Sequence, residues 1–139
     1  MSAVSSTELV LLLSNLTTRM QKRFGGALTP HGLSFTEYLV LRELAGAPSK
    51  KLRRIDLAET IGLSASGVTR LLNPMEKVGL VKKEDAPRDA RVSLVAITRA
   101  GEKIFRDSDV AIGHSAEAFL SALGETDRKT FNRLATTLL

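Results

Sequence analysis

The stretch RIDLAETIGLSASGVTRLL, residues 54 to 72, constrains the fold of this chain more than any other. It reads as two helices joined by a tight turn at Gly62 and Leu63, with Ser64 placed as the N-cap of the second. Ala58, Gly62, Val68 and Leu71 carry that reading. A small residue lets the helices approach, a glycine turns the chain, and two apolar residues seat the second helix on the first. These are the packing needs of a helix-turn-helix.

The following segment, GLVKKEDAPRDARVSLVAIT, joins two β-prone runs, Leu80 to Glu84 and Arg91 to Thr98, through a turn rich in Pro, Asp and Ala. A hairpin with a basic tip is expected there. A helix-turn-helix followed by such a hairpin makes a winged helix, whose second helix suits a major groove while the hairpin reaches the neighbouring minor groove.

Amphipathic helices flank this lobe. Residues 7 to 28 place Leu9, Leu13, Leu16, Met20 and Phe24 at steps of three and four, on a helix that Gly25 and Gly26 are positioned to fray. After the loop LTPHGLS, Phe35, Leu39, Leu41 and Leu44 mark a helix over about 34 to 46, stopped by Gly46 and Pro48. Thr98 can cap a long helix in which Phe105, Ile112 and Phe119 recur every seven residues, ending at Gly124. Phe131, Leu134 and Leu138 stripe a short last helix, with Thr126 and Asp127 as its caps. The expected fold is mainly α (α+β) and a single domain over residues 1–139. It comprises a winged-helix lobe over about 34–98 and a helical dimerisation region over about 7–28 and 99–139.

Pro74 interrupts the second helix of the motif, where it removes the hydrogen bond to the Arg70 carbonyl at a typical cost of about 3 kcal/mol. Val68, Leu72, Met75 and Gly79 fall on the inner face at helical spacing, so Pro74 falls on the outer face with Arg70 and the helix is expected to continue through it. A bend there is expected either to be simply tolerated, in the sense in which helices curve round a core, or to separate a reading half, residues 65 to 73, from a half that anchors the helix to the wing.

Charge points to the partner. The net charge of +5 is uneven: residues 50 to 91 hold 10 Lys/Arg against 6 Asp/Glu, a net of +4, and the remaining 10 against 9 give +1. Most of the excess sits on the winged-helix segment, which suits an anionic partner such as nucleic acid; a solvated basic face is the plainer alternative. With no cysteine, disulfides, thiolate metal sites and thiol catalysis are excluded. The longest apolar run, Leu9 to Leu13, is too short for a bilayer and lacks a preceding basic segment, so a cytoplasmic protein is expected. No nucleotide-binding glycine motif, nucleophile elbow or H-E-x-x-H is present, and His31 and His114 lie far apart, so neither an enzyme, a cofactor nor a metal site is expected.

The run LSASGVTRLLNPMEKVGLV followed by PRDARVSLVAITRAG resembles the MarR family of bacterial winged-helix transcription regulators, with a D-x-R in the wing and a T-x-x-G after it. The likeness in helix order covers essentially the whole chain, and the specific motif spans about residues 55 to 101. Pro74 and Val78 depart from it, standing where the family usually has basic residues. The resemblance implies a homodimer with interleaved first, fifth and sixth helices, binding double-stranded DNA at a near-palindromic operator. Independently, the terminal apolar stripes must be buried, either against a partner chain or by folding back on their own core.

Candidate base readers on the recognition helix are Ser64, Ser66, Gly67, Thr69, Arg70 and Asn73. Arg70 can present two parallel donors to guanine and Asn73 can pair with adenine, whereas Ser64 can be a cap alone and Gly67 a packing residue. By resemblance, Arg91 enters the minor groove and Asp89 helps hold it, with Arg88 as an extra cation; a narrow, strongly negative groove favours guanidinium. Arg53, Arg54, Lys82 and Lys83 are candidates for phosphate contacts, or are solvated surface charges. Many relatives lose DNA affinity when a small aromatic or phenolic ligand binds between the dimer helices and the lobe. Arg19, Phe24, His31, Phe35, Tyr38 and Arg42 can furnish such a pocket, or be ordinary core and interface. The resemblance implies a repressor released by that ligand, against the alternative of a winged-helix protein-protein interaction module without specific DNA binding.

Overall fold

Recurrent caps and one close glycine contact set the frame of the protein, described here from a computed structural model covering residues 3–86 and 88–139. Helix α1 (Ser6–Leu28) starts at Ser5, whose hydroxyl accepts the Glu8 N–H while the Glu8 carboxylate accepts the Ser5 N–H. Helix α2 (Phe35–Gly46) opens with the same reciprocal box between Ser34 and Glu37. Strand β1 (Lys51–Arg53), helix α3 (Arg54–Ile61), helix α4 (Ala65–Lys77), strands β2 (Val81–Ala86) and β3 (Asp89–Ile97), and helices α5 (Arg99–Phe119) and α6 (Glu125–Thr137) follow. This is a mainly α winged helix with a three-stranded antiparallel sheet, ordered β1-β3-β2.

The core lies between α2, α3, α4 and the sheet. Leu41, Leu44, Leu57, Val68, Leu72 and Met75 are sealed from solvent, and Val81, Val95 and Ile97 close the cluster from the sheet side. Gly62 ends α3 at φ +78°, a conformation that favours glycine, and its N–H returns to the Ala58 carbonyl. The expected turn of the helix-turn-helix is thus present. Val68 and Leu72 occupy the buried seat, while Leu71 is half-buried. α4 runs through the exposed Pro74 to Lys77.

Several boundaries differ from the sequence expectation. Gly25 and Gly26 do not fray α1, which continues until buried Phe24 and Leu28 are both seated. Gly79 is not on the inner face of α4; it is an exposed left-handed residue, φ +81°, that terminates the helix and launches the wing. β1 has no periodic signature of its own: its three residues become a strand by pairing with Leu94 to Ala96 of β3. α5 stops at Phe119 rather than Gly124, which is instead the N-cap of α6. Thr126 and Asp127 therefore lie in the first turn of α6 rather than capping it. Arg128 fixes this corner, donating to the carbonyls of Leu120 and Leu123 and to the Glu117 carboxylate.

The T-x-x-G motif joins the wing to α5. The Thr98 hydroxyl donates to the Gly79 carbonyl at 2.5 Å and accepts the Gly101 N–H at 3.0 Å, while the Thr98 N–H donates to the Leu80 carbonyl. A Cβ on Gly101 would lie 2.2 Å from the Leu80 carbonyl oxygen and 2.8 Å from Ile97 Cγ1. Gly101→Ala should therefore destabilise the fold by about 1–3 kcal/mol or more through overpacking. In contrast, Gly26→Ala, with nothing within 4 Å of its Cβ, should stabilise it by roughly 0.5–1 kcal/mol. Urea unfolding of both variants checks the contrast; equal effects would contradict it.

Candidate nucleic-acid interface

Ser64 holds the start of α4. Its hydroxyl accepts the Gly67 N–H at 3.1 Å and lies 3.2 Å from the Ser66 hydroxyl. A Cβ on Gly67 would fall 3.2 Å from that Ser64 oxygen and 3.6 Å from Leu63 Cβ, so the glycine leaves room for the cap. Thr69 donates to the Ala65 carbonyl at 3.1 Å and accepts from Arg54 Nη2 at 2.9 Å. Arg54 is thereby drawn from α3 onto the recognition helix. Arg70 and Asn73 are exposed, and among the described residues nothing bonds to either side chain.

The wing orders its own arginine. Asp89 Oδ1 accepts both the Arg91 N–H at 3.0 Å and Arg91 Nε at 3.4 Å. The Arg91 side chain is nevertheless 92% exposed, held at its base and free at its tip. Arg88, at the hairpin turn, is exposed.

The remaining cations divide by their partners. Arg53 forms a two-point contact with Asp56 at 2.8 and 3.1 Å, and that hydrogen bonding holds the Asp56 carboxyl below its usual range. Lys82 approaches Glu84 at 3.5 Å, and Lys51 donates to Glu84 at 3.1 Å; the Lys51 bond is the main cause that lowers the Glu84 carboxyl. Lys83 is exposed, with no ion pair among the described residues.

These elements enclose a groove of about 620 Å³ between the helix-turn-helix and the wing. Arg53, Arg54, Thr69 and Arg91 line it, over an apolar floor that includes Leu63 and Val68. The exposed Ile55 stands at its wall, and the Ser93 hydroxyl is buried there with no hydrogen-bond partner among the described residues. The structure thus brings together predicted residues from α3, α4 and the wing. Ile55 and Ser93 were not singled out from sequence, because their place depends on the wing folding back on α3.

The residues expected around a ligand pocket are only partly gathered. Phe119, Phe24, Phe35, Tyr38 and Phe105 form one continuous aromatic run across α1, α2 and α5, with successive centroids 5.8–6.2 Å apart. Phe24, Phe35 and Tyr38 are therefore filled against one another. Burial, helped by a hydrogen bond to Asp109, raises the Tyr38 hydroxyl pKa, so the group stays a protonated donor. Arg42 Nη1 sits 3.7 Å from Asp109 Oδ1. Arg19 lies apart, in a shallow groove of about 320 Å³ with Lys22, Arg23 and Phe119, and His31 is half-buried in the single turn after α1. Phe105, Phe119 and Asp109 complete this cluster. The seven-residue spacing had marked the two phenylalanines as apolar, but nothing in sequence paired Asp109 with Tyr38.

A basic helix-turn-helix and wing on a mainly α frame define a winged-helix protein. A family model described as MarR family matches residues 31–92. The transcriptional regulator HosA of Escherichia coli O111:H- is 32% identical over 103 residues, covering 73% of this chain and 74% of that protein. The chain belongs to the MarR family. The transcriptional regulator PrsX of Escherichia coli is 28% identical over 93 residues; the match covers 67% of this chain but only 56% of PrsX. Among solved structures, a mutant of Escherichia coli MarR in complex with operator DNA superimposes with a TM-score of 0.87 at 19% identity, over 94% of this chain and 93% of that one. The family and these relatives are transcriptional regulators, not enzymes. Among the described residues, no helix is long and apolar enough to cross a membrane.

Proposed function

We propose that this protein is a dimeric, sequence-specific double-stranded DNA-binding transcription regulator of the cytoplasm, a repressor released by a small aromatic or phenolic ligand. The carrying observation is the free Arg70 and Asn73 on a capped α4, flanked by Arg54 and the exposed, Asp89-steadied Arg91. Arg70 and Asn73 supply major-groove donors, Arg91 reaches the minor groove with Arg88 as an extra cation beside it, and Lys83 meets phosphates. Ser64, Ser66, Gly67 and Thr69 bring the α4 backbone close. Arg53 and Lys82 serve phosphates by exchanging intramolecular carboxylates for them.

Dimerisation rests on the apolar surface a single chain leaves open. Leu9 and Leu13 are 49% and 46% exposed, Phe131 and Leu134 are 51% and 53%, and α6 buries none of its residues. Such faces suit a second copy related by a twofold axis, which also matches a near-palindromic operator. A ligand that prefers a geometry with wrongly spaced recognition helices lowers DNA affinity by its differential affinity for that state. The groove at Arg19 and Phe119, at the open end of the filled aromatic run, is where such a ligand would act.

The reading predicts separable effects. Arg70→Ala should weaken binding and relax preference at one base pair by about 1–3 kcal/mol. A loss uniform across sequences would make Arg70 a phosphate contact instead. Arg91→Ala should weaken operator binding with little loss of stability, because its tip touches no core; wild-type affinity in that variant would remove the wing assignment. Log affinity should fall with log salt at about −0.9 per phosphate neutralised, and a flat response would contradict the electrostatics. Leu13→Glu combined with Leu134→Glu should turn a dimer into a monomer in sedimentation. Uniformly weak binding to every duplex by the wild type would favour a protein-interaction module.

A further inference from the structure

Side-chain ties connect the DNA-binding lobe to α5 at two separate points along that helix. At its start, the Thr98 clasp and the Lys50–Glu102 ion pair hold the lobe from the wing and from the turn before β1. Eleven residues beyond Thr98, roughly 16 Å along a helix, the Tyr38 hydroxyl of α2 donates to Asp109 Oδ1 at 2.5 Å. We infer that the Tyr38–Asp109 bond is a latch that fixes the swing of the lobe about the Thr98–Gly101 joint, and so sets the spacing of the two recognition helices. This rests on the dimeric DNA-binding reading above and adds the group that aims the lobes.

The geometry separates the latch from the packing around it. Tyr38 packs between Phe35, stacked at 6.2 Å, and Phe105, tilted at 5.8 Å. Offset ring contacts tolerate sliding, whereas a hydrogen bond is directional and weakens steeply when misaligned. The rings hold α2 on α5; the hydroxyl fixes their register. Tyr38 is 3% exposed, so a displaced hydroxyl would lose its partner while water reaches it only from the half-exposed Asp109 side. Arg42, 3.7 Å from the same carboxylate oxygen and more than half exposed, steers Asp109 but fixes little itself. α2 packs on α3, which carries α4, so a swing at α2 moves the recognition helix as part of one body. Twofold symmetry doubles that displacement between half-sites.

Tyr38→Phe keeps the ring and removes the latch; Asp109→Asn keeps a carbonyl acceptor for the hydroxyl and removes the charge. The chain has no cysteine, so Thr60→Cys on exposed α3 gives one spin label per protomer. The label-to-label distance distribution of the DNA-free dimer should be narrow in the otherwise wild-type protein, broad with Tyr38→Phe and narrow again with Asp109→Asn. On duplexes carrying an inverted repeat enriched by the wild-type protein from a random pool, one added central base pair should weaken wild-type binding about tenfold or more, and the Tyr38→Phe protein less than about threefold. A Tyr38→Phe protein with a lowered melting temperature but unchanged distance width and spacing profile would reduce Tyr38 to a packing residue and overturn the latch. Broadening without tight binding of any duplex by either protein would keep the latch and remove the DNA reading. A monomeric wild type would overturn both.

Discussion

Where α5 begins, three parts of the protein meet in the space of one absent side chain. The Leu80 carbonyl occupies the place of a Cβ at residue 101, and Thr98 binds the backbone at Gly79 and Leu80 while capping the helix. The end of α4, the root of the wing and the start of α5 are therefore one joint. Without this contact the helix-turn-helix and hairpin could each form, but the root of the wing would lose its seat on α5 and the lobe would be held there only through α2 and the Lys50–Glu102 ion pair. The joint turns a set of amphipathic segments into a frame that can aim a recognition helix.

Electrostatics then sorts the cations that composition only counts. Segment 50–91 carries most of the net positive charge, yet Arg53, Lys51 and Lys82 are engaged by carboxylates and Arg54 by Thr69. Exposed ion pairs contribute little to stability, so their value here is in holding side chains at defined positions until a stronger anion competes. Arg70 and Arg91 differ: the first is free, and the second is anchored at its base with its guanidinium in solvent. That difference is what the proposed division of labour rests on, with Arg70 proposed for bases, Arg91 for the minor groove and the flanking cations for phosphates.

Legibility in the sequence follows the range of the interaction responsible. The turn at Gly62, the cap at Ser64 and the hairpin are local, and each appears where spacing and turn chemistry put it. Gly25 and Gly26 misled because Phe24 and Leu28 bury enough surface to override two poor helix formers. β1 was invisible because its pairing partner lies more than forty positions away in β3, and Gly124 misled because Arg128 closes the α5 corner with side-chain bonds that periodicity does not encode. At the site, the exposure of Arg70 and Asn73 on α4 and the Asp89–Arg91 contact follow from residue type and motif. Asp109 against Tyr38, and Ser93 beneath the groove, arise only when segments distant in sequence are brought together.

In the proposed function, α4 and the wing of two copies read DNA as a twofold pair. Selection from a random duplex pool with the purified full chain, followed by sequencing of the bound fraction, tests this most directly. The predicted result is an enriched inverted repeat whose half-site centres lie about 10–10.5 base pairs apart, or a multiple of that. No enriched sequence, or a single half-site without its repeat, would contradict it.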